Sequence, residues 1–286
     1  MTPEIPTSGD SLRHWLAWLR TQLAAHSDAP EQEAHWLLEE VLDSSTALWS
    51  HPQAPLGEAR RGHLLALLAR RVGGEPLPYC LGHWSFMELD LRIDRRALIP
   101  RPDTETLVRW ALEHLPNKGA VLDLGTGCGA IILALAQARP DLDHWAVDRS
   151  EDALALARQN GAALGLPVRW CIGDWCQALP AEQRFSLVLS NPPYLAVDDA
   201  HLSELSAEPI SALVAGETGL EAYQAILAGV VHHLEPQARI AFEHGHEQGP
   251  WLRQLLREHG WEEVETHRDL AGRERVSSAV WGTPYA

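Results

Sequence analysis

The sequence predicts an open, doubly wound α/β sheet preceded by a small N-terminal helical bundle. A glycine-rich turn at residues 125–129 lies between an apolar run at 121–124 and an apolar segment at 130–139, which is the order strand, turn and helix. Further apolar runs follow at the spacing of successive strand and helix units, and acids stand at their ends, at Asp148 and Asp174. Such a sheet binds ligands at the carboxyl ends of its strands. The glycine turn and Asp148 are therefore expected at one binding edge.

The N-terminal third predicts three helices. In the first two, apolar residues recur at helical spacing: Leu12, Trp15, Leu16, Leu19 and Leu23, then Ala34, Leu37, Leu38, Val41 and Leu42. The second is expected to begin near Pro30, because proline suits the first turn of a helix. The third is expected over Glu58–Val72, ending at Gly73 and Gly74. The tryptophans of this region are interpreted as core or bundle-face residues: Trp15, Trp18, Trp36 and Trp49.

A hairpin is expected between the bundle and the sheet. Its apolar residues nearly alternate, and they are Trp84, Phe86, Leu89, Leu91 and Ile93. The predicted domains are a helical bundle at 1–80, a linker hairpin at 81–102 and an α/β domain at 103–286. Within the last we expect helices near 104–115, 220–234 and 250–259, a strand near 239–244, and a closing antiparallel pair near 262–267 and 274–281. The long segment 195–218 is expected to shape a site, because structureless loops of that length are uncommon in compact domains.

The composition indicates the cellular compartment and the class of binding partner. The 286 residues are 45% apolar, and the four cysteines, Cys80, Cys128, Cys171 and Cys176, form no CxxC pair, which is typical of a reducing compartment. No apolar stretch reaches the roughly 20 residues of a membrane span, and the N-terminus is polar, so we expect a cytoplasmic protein without membrane association. The net charge of −16 disfavours direct binding of nucleic acid through many phosphates. The fifteen histidines show no ligand spacing, so no metal is expected.

The tetrapeptide Asn191-Pro192-Pro193-Tyr194 closes another apolar run, residues 185–190. A planar NH2 group is a poor nucleophile, and a site that activates it needs two acceptors, one for each N–H. The Asn191 side-chain oxygen and the Pro192 carbonyl can supply them, and the two prolines stiffen the backbone that aims them. Tyr194 offers an aromatic face for a flat amide or base. With the glycine turn, the motif predicts a methyltransferase that acts on a planar NH2 group.

The residues alone leave several alternatives open. The acceptor NH2 could belong to a glutamine carboxamide or to an adenine, and an adenine in a duplex would first have to be flipped out. The chain could also be a cofactor-binding module without catalytic activity, although the intact Asn191 and glycine turn argue against this. Asn-Pro-Pro-Tyr could be an ordinary turn, since Asn and Pro are common turn residues.

Taken with segments elsewhere, the chain resembles the peptide chain release factor glutamine N5-methyltransferases, the PrmC/HemK family. The resemblance spans essentially the whole chain. Besides the two motifs it includes residues 78–82, 98–105, Glu208-Pro209, Ala212-Leu213, Gly219-Leu220, 243–245, Asp269 and 272–275. The segment Ile99-Pro100-Arg101-Pro102 is the most specific, because N6-adenine methyltransferases share Asn-Pro-Pro-Tyr but generally lack it. One departure is Asp103, where the family usually has Glu.

The resemblance implies a Rossmann-like fold and S-adenosylmethionine as cofactor, with S-adenosylhomocysteine as product. The residues implied to line the cofactor are Gly125, Thr126, Gly127, Cys128, Gly129 and Asn191. Asp148 would hold the ribose and Trp175 would border the adenine. Asn191, Pro192, Pro193 and Tyr194 would bind the substrate glutamine, with Asn191, Pro192 and Tyr194 as the catalytic residues. The implied substrate is the glutamine of the Gly-Gly-Gln motif of class-1 release factors, which the N-terminal bundle would dock. An N6-adenine methyltransferase acting on DNA or RNA is the alternative.

Overall fold

The computed structural model describes residues 4–42, 44 and 46–282. The chain divides into two compact units, Met1–Gly82 and His83–Ala286. The predicted hairpin strands fall in the second unit, so this division comes before the hairpin. Among the described residues, no helix is both long enough and apolar enough to cross a bilayer.

The first unit is helical. Its helices are α1 (Leu12–Leu23), α2 (Pro30–Leu42), α3 (Ala47–Ser50), α4 (Glu58–Val72) and α5 (Leu77–Leu81). The Ser11 hydroxyl caps α1 by accepting a hydrogen bond from the His14 N–H at 3.3 Å. Trp15 and most of the leucines of α1, α2 and α4 form one buried core. The three predicted helices are therefore present, whereas α3 and α5 are too short to show a periodic pattern.

The tryptophans of the first unit have different environments. Trp15 and Trp18 are buried, and their rings meet edge to face with centroids 5.6 Å apart. Trp49 is 74% exposed and stacks on His35. Trp49 is thus a surface residue, because α3 has a single turn and only Leu48 of it is buried.

The second unit begins with a hairpin and continues as alternating strands and helices. Its elements are β1 (His83–Phe86), β2 (Leu89–Arg92), α6 (Glu105–Glu113), β3 (Ala120–Leu124), α7 (Ala130–Ala138), β4 (Asp143–Asp148), α8 (Glu151–Leu164), β5 (Arg169–Ile172), β6 (Phe185–Ser190), β7 (Leu195–Ala196), β8 (Val214–Gly216), α9 (Glu221–Val230), β9 (Leu234–Glu243), α10 (Gly249–Glu258), β10 (Trp261–Arg268) and β11 (Glu274–Trp281). The helix expected near 220–234 ends earlier, at Val230, and Val231–His233 form a short 3-10 turn before β9.

A seven-stranded sheet forms the centre, in the order β10-β11-β9-β6-β3-β4-β5. Strands β9, β6, β3, β4 and β5 are parallel, and β11 lies antiparallel between β9 and β10. This confirms the predicted doubly wound sheet and its closing antiparallel pair. The chain proceeds outward from β3 through β4 to β5 and then returns to the other side of β3 as β6. The strand order therefore reverses between β3 and β6, which is where open α/β sheets bind ligands.

The hairpin is hydrogen-bonded to the turn that follows β3. Strands β1 and β2 pair antiparallel, with Phe86 opposite Leu89. The Asn160 side chain of α8 accepts from the Arg92 N–H at 2.9 Å and donates to the Arg92 carbonyl at 3.1 Å. The same Asn160 amide donates to the Cys128 carbonyl of the glycine turn at 2.9 Å. One buried asparagine thus ties the end of the hairpin to the turn after β3.

Candidate active site

The glycine turn and Asn-Pro-Pro-Tyr leave the sheet side by side. Their strands, β3 and β6, are paired so that Leu124 lies opposite Ser190. The Ser190 hydroxyl also donates to the Leu124 carbonyl at 2.6 Å. The next residues, Gly125 and Asn191, therefore begin their loops at the same edge. The two motifs that the sequence predicted to act together flank the reversal in strand order.

Backbone geometry explains two of the glycines. Gly125 has φ +75°, which disfavours other residues, and a Cβ there would lie 3.4 Å from the Trp175 ring. Gly129 has φ +88° and precedes α7, where a Cβ would come within 3.0 Å of Leu133 and 3.3 Å of Ala157. Gly125 thus allows the backbone to approach Trp175, and Gly129 allows α7 to pack closely on α8.

Hydrogen bonds fix the backbone of the glycine turn. The Gly125 and Thr126 N–H groups donate to the Val147 carbonyl at 2.9 and 3.0 Å. The Thr126 hydroxyl donates to Asp123 at 2.7 Å, and burial raises the pKa of Asp123 to about 7. The turn is therefore fixed to the ends of β3 and β4 before any ligand binds.

Asp148 ends β4 beside the glycine turn. Its two carboxylate oxygens accept from the Gly127 and Ser150 N–H groups, each at 2.8 Å. Burial raises the pKa of Asp148. Each oxygen of an ionised carboxylate has a second lone pair, so both can accept a further hydrogen bond from a ligand. The backbone contacts orient the side chain and leave this capacity free.

An open cavity of about 980 Å³, including its mouth, lies over these groups. The predicted site residues that line it are Gly125, Thr126, Gly127, Cys128, Asp148, Trp175, Asn191 and Pro193. Gly129 does not line the cavity and lies at the start of α7. Burial raises the pKa of the Cys128 thiol to about 12, so this cysteine is a poor nucleophile.

A second cavity, of about 1410 Å³ with its open mouth, lies on the other side of Asn191. Pro192 and Tyr194 line it, together with polar residues to which the sequence analysis gave no role, including Arg101, His201, Gln248 and Arg275. Four residues line both cavities: Leu98, Arg101, Asn191 and Ala212. Asn191 therefore stands where the two cavities meet.

A hydrogen bond from its nitrogen fixes the orientation of the Asn191 side-chain amide. Asn191 Nδ2 donates to Thr104 Oγ1 at 3.3 Å, which leaves the amide oxygen as the acceptor for a ligand. The Tyr194 carbonyl accepts from Gln248 Nε2 at 3.0 Å, so the loop is also held at its far end. Burial raises the pKa of Tyr194 to about 12, and the nearby Glu243 contributes in the same direction. Tyr194 is therefore a neutral phenol at physiological pH.

The long segment 195–218 is tied to the Ile-Pro-Arg-Pro segment. Buried Glu208 accepts from the Ile99 N–H at 3.0 Å and forms an ion pair with Arg101. Strands β7 and β8 within the segment pair parallel, with Leu195 opposite Val214. The segment is thus an ordered wall shared by the two cavities.

Asp103 forms an ion pair with Arg275 of β11. The Asp103 carboxylate lies 3.0 Å from Arg275 Nη2. Arg275 also contacts Asp269, at 3.3 Å. Arg275 is therefore held by two carboxylates, those of Asp103 and Asp269.

Replacement of Glu208 by alanine is expected to lower stability. The change leaves the Ile99 N–H and the Arg101 guanidinium without their partner, at a cost of about 1–3 kcal/mol in the free energy of unfolding. Glu217→Ala, at an exposed residue of the same segment, should change it by less than about 0.5 kcal/mol. Thermal unfolding of the full chain monitored by circular dichroism measures the difference. Equal unfolding midpoints for the two variants would contradict the assigned role of Glu208.

The buried histidine at the end of β9 is structural. His244 follows β9 and is buried, with Nδ1 hydrogen-bonded to the Gly245 carbonyl at 2.8 Å and Nε2 to Ser277 Oγ at 2.9 Å. Burial lowers its pKa. In the part of the chain that the structure describes, no group of three or more His, Cys, Asp or Glu side chains could hold a metal ion.

Two family models match the chain. The methyltransferase small domain matches residues 103–213, and the PrmC N-terminal domain matches residues 14–82. Two solved structures share the fold. A methyltransferase from Pyrococcus furiosus is 17% identical, covers 79% of this chain and 99% of its own, and has a TM-score of 0.52. The hMettl16 catalytic domain, solved with MAT2A 3'UTR hairpin 6, is 16% identical over 79% of this chain and 82% of its own, with a TM-score of 0.54. At these identities the likeness shows the fold alone.

Curated relatives match over nearly their whole length. The release factor glutamine methyltransferase of Bordetella pertussis is 44% identical over 91% of this chain and 98% of its own. The proteins of the same name from Salmonella typhimurium and Escherichia coli are 43% and 41% identical, each over 93% of this chain and 97% of their own. The chain therefore belongs to the release factor glutamine methyltransferase family.

Proposed function

We propose that this methyltransferase transfers a methyl group from S-adenosylmethionine to the N5 amide nitrogen of the glutamine in the Gly-Gly-Gln motif of class-1 release factors. The observation that carries the proposal is the position of Asn191. It stands between the cavity above the glycine turn and the cavity that Tyr194 lines. A group that must contact both a cofactor and an acceptor has to lie at such a junction. Family membership supports the choice of glutamine.

The first cavity suits S-adenosylmethionine. Asp148 has free lone pairs for both ribose hydroxyls, and its pairing to Gly127 holds the backbone beside the sugar. The Trp175 ring packs against Gly125, where a Cβ would touch it, and offers a face for the adenine. Thr126, Cys128 and Asn191 complete the wall. Once bound, the cofactor supplies a methyl group on a positively charged sulfur, ready for attack by a nucleophile.

The second cavity suits the glutamine side chain. The Asn191 amide oxygen and the Pro192 carbonyl would each accept one N–H of the substrate carboxamide, which holds its nitrogen and directs the lone pair toward the methyl group. Tyr194, as a neutral phenol with its ring beside the motif, would pack on the amide plane. As the N–C bond forms and the S–C bond breaks, the nitrogen becomes strongly acidic and its surplus proton passes to water. A covalent enzyme intermediate is not required.

The second candidate function is methylation of adenine N6 in DNA or RNA, which needs the same two acceptors. The release factor is favoured because the curated relatives matching almost the whole chain bear that name. The negative net charge also disfavours a phosphate-binding face. Radiolabelled cofactor offered in parallel with release factor, DNA and ribosomal RNA tests the choice. Label should enter the release factor. Label in nucleic acid, with none in the release factor, would overturn the proposal.

An intact release factor is expected to be a far better substrate than a free Gly-Gly-Gln peptide. We propose that the helical unit docks the release factor and that these remote contacts position the amide for transfer. The ratio kcat/KM should therefore be lower for the peptide by roughly 10²-fold or more. Initial rates with both substrates at matched cofactor concentration measure the ratio. Equal values would contradict a docking role for residues outside the site.

A further inference from the structure

A buried carboxylate lies directly beside the Asn-Pro-Pro-Tyr motif. Strand β9 pairs with β6 so that Phe242 is opposite Ser190, and the next residues are Glu243 and Asn191. The Glu243 side chain belongs to a residue only 1% exposed. Its Oε2 atom finds no hydrogen-bond partner within residues 4–42, 44 and 46–282. Burying a carboxylate with an unpaired oxygen is costly, so the presence of Glu243 at this edge requires an explanation.

Thr104 links this acid to Asn191. Asn191 Nδ2 donates to Thr104 Oγ1 at 3.3 Å, and the Thr104 hydroxyl favours the ionised form of Glu243 and so lowers its pKa. Thr104 is itself buried, at 4% exposure. A hydroxyl has one proton to donate. Because an ionised carboxylate can only accept, the Thr104 proton must point to Glu243 and its lone pair must face Asn191.

We propose that Glu243 is a positioning residue that acts through Thr104 to keep the oxygen of the Asn191 amide, and not its NH2 group, turned toward the acceptor nitrogen. The inference rests on the proposed function, in which that oxygen accepts an N–H of the substrate. An Asn amide has nearly the same shape in its two flipped orientations, so shape alone does not select one. Thr104 does select one, because its oxygen accepts only from the NH2 group of Asn191. With the Asn191 amide reversed, its NH2 group would face the NH2 group of the substrate, and the substrate nitrogen would lose an acceptor.

The charge of Glu243 is therefore part of the site. The titratable and charged groups that face it are Arg101, Asp103, Tyr194, Tyr223 and Arg275. Burial raises the pKa of Glu243 to about 7, and the two arginines oppose that shift. Protonated Glu243 could donate to Thr104 and allow the reversed orientation of the Asn191 amide. The single-turnover rate should therefore rise with pH through about 7 as Glu243 ionises, and should fall below it.

Substitutions separate this positioning role from a general loss of structure. Glu243→Gln keeps the shape but supplies an NH2 group that can donate to Thr104, and Thr104→Val removes the link. Both should lower the single-turnover rate roughly tenfold or more and leave cofactor affinity, measured by calorimetry, within about twofold. Thr104→Ser restores the hydroxyl and should retain most of the rate. If Glu243→Gln does not fold, the Thr104→Val and Thr104→Ser pair supplies the same comparison.

A double-mutant cycle gives the decisive readout. In an Asn191→Ala background no amide remains to be oriented, so Thr104→Val and Glu243→Gln should each change the rate by less than about twofold. If Thr104→Val and Glu243→Gln lower the rate in that background by the same factor as in the parent, the inference is overturned. A Thr104→Val single variant that transfers methyl at the parent rate would also overturn it.

The pH profile supplies a further check. The pKa of Asp123 is also raised to about 7 by its burial, so the profile is assigned by comparing the parent with Glu243→Gln. The rise near pH 7 should disappear in that variant, and its persistence would contradict the inference. The parent chain is tested first with an intact release factor. A parent that methylates it while the variants fail these comparisons overturns this inference alone, whereas a parent that methylates nothing overturns the proposed function as well.

Discussion

Replacement of Asn191 by alanine is expected to lower the single-turnover rate of methyl transfer by roughly 10²-fold or more, the scale for loss of one preorganised polar group at a reacting centre. The amide oxygen of Asn191 is one of two acceptors that hold the substrate nitrogen, and water cannot replace it with a fixed geometry. Affinity for S-adenosylmethionine should change little, because the glycine turn and Asp148 are held by their own hydrogen bonds. Rapid-quench measurement with labelled cofactor gives the rate, and calorimetry gives the affinity.

Asn117→Ala is the matched control, since Asn117 is an exposed asparagine in the loop before β3. It should transfer methyl at the parent rate. An Asn191→Ala variant that also kept the parent rate would contradict the two-acceptor mechanism. A variant that lost cofactor affinity in proportion to its rate would place Asn191 in cofactor binding instead.

Replacement of Asp148 by alanine is expected to have the largest effect on cofactor affinity. Hydrogen bonds from two ribose hydroxyls to an ionised carboxylate contribute about 1.5–3 kcal/mol each, so the dissociation constant should rise roughly 10²-fold or more. The change also frees the Gly127 and Ser150 N–H groups that Asp148 now holds. Titration calorimetry measures the affinity, with Asp198→Ala, at an exposed aspartate, as control.

Asp148→Asn and pH refine the test. The amide keeps one acceptor oxygen without the charge, so Asp148→Asn should bind cofactor with an affinity between the parent and Asp148→Ala. Burial raises the pKa of Asp148, and the ionised form is the one that binds. Cofactor affinity should therefore decrease as the pH falls through this raised pKa, and the decrease should be absent in Asp148→Asn. Binding of Asp148→Ala as tight as that of Asp198→Ala would contradict the ribose assignment.

The parts of the site that lie close together in sequence could be predicted. The glycine turn and Asn-Pro-Pro-Tyr each combine an apolar strand with the residues that follow it, and parallel strands bring such ends to one edge. The roles of Thr104 and Glu243 could not be predicted. The sequence predicts Thr104 only as the start of a helix. It shows Glu243 only as one residue of the segment 243–245 that resembles the family. Glu243 lies beside Asn191 only because β9 pairs with β6, and Thr104 and Asn191, which share a hydrogen bond, are 87 residues apart in the chain.

The second cavity was missed for a similar reason. Its polar wall combines Arg101, the segment after Tyr194 and Arg275 of β11, which are far apart in the chain. The short elements β7 and β8 also escaped prediction, because two or three residues carry no periodic pattern. Their pairing and the contact between Glu208 and Arg101 turn the long segment into an ordered wall.

Site-specific mass spectrometry of an intact class-1 release factor shows whether the chain methylates the Gly-Gly-Gln glutamine. The factor is incubated with the chain and S-adenosylmethionine, digested and sequenced by fragmentation. We expect a mass gain of one CH2 unit on the side-chain amide of the Gly-Gly-Gln glutamine. The gain should be absent when that glutamine is replaced by alanine and strongly reduced with the Asn191→Ala variant. An unmodified glutamine after incubation with folded, cofactor-binding chain, or a methyl group on another residue that persists in the alanine-substituted factor, would contradict it.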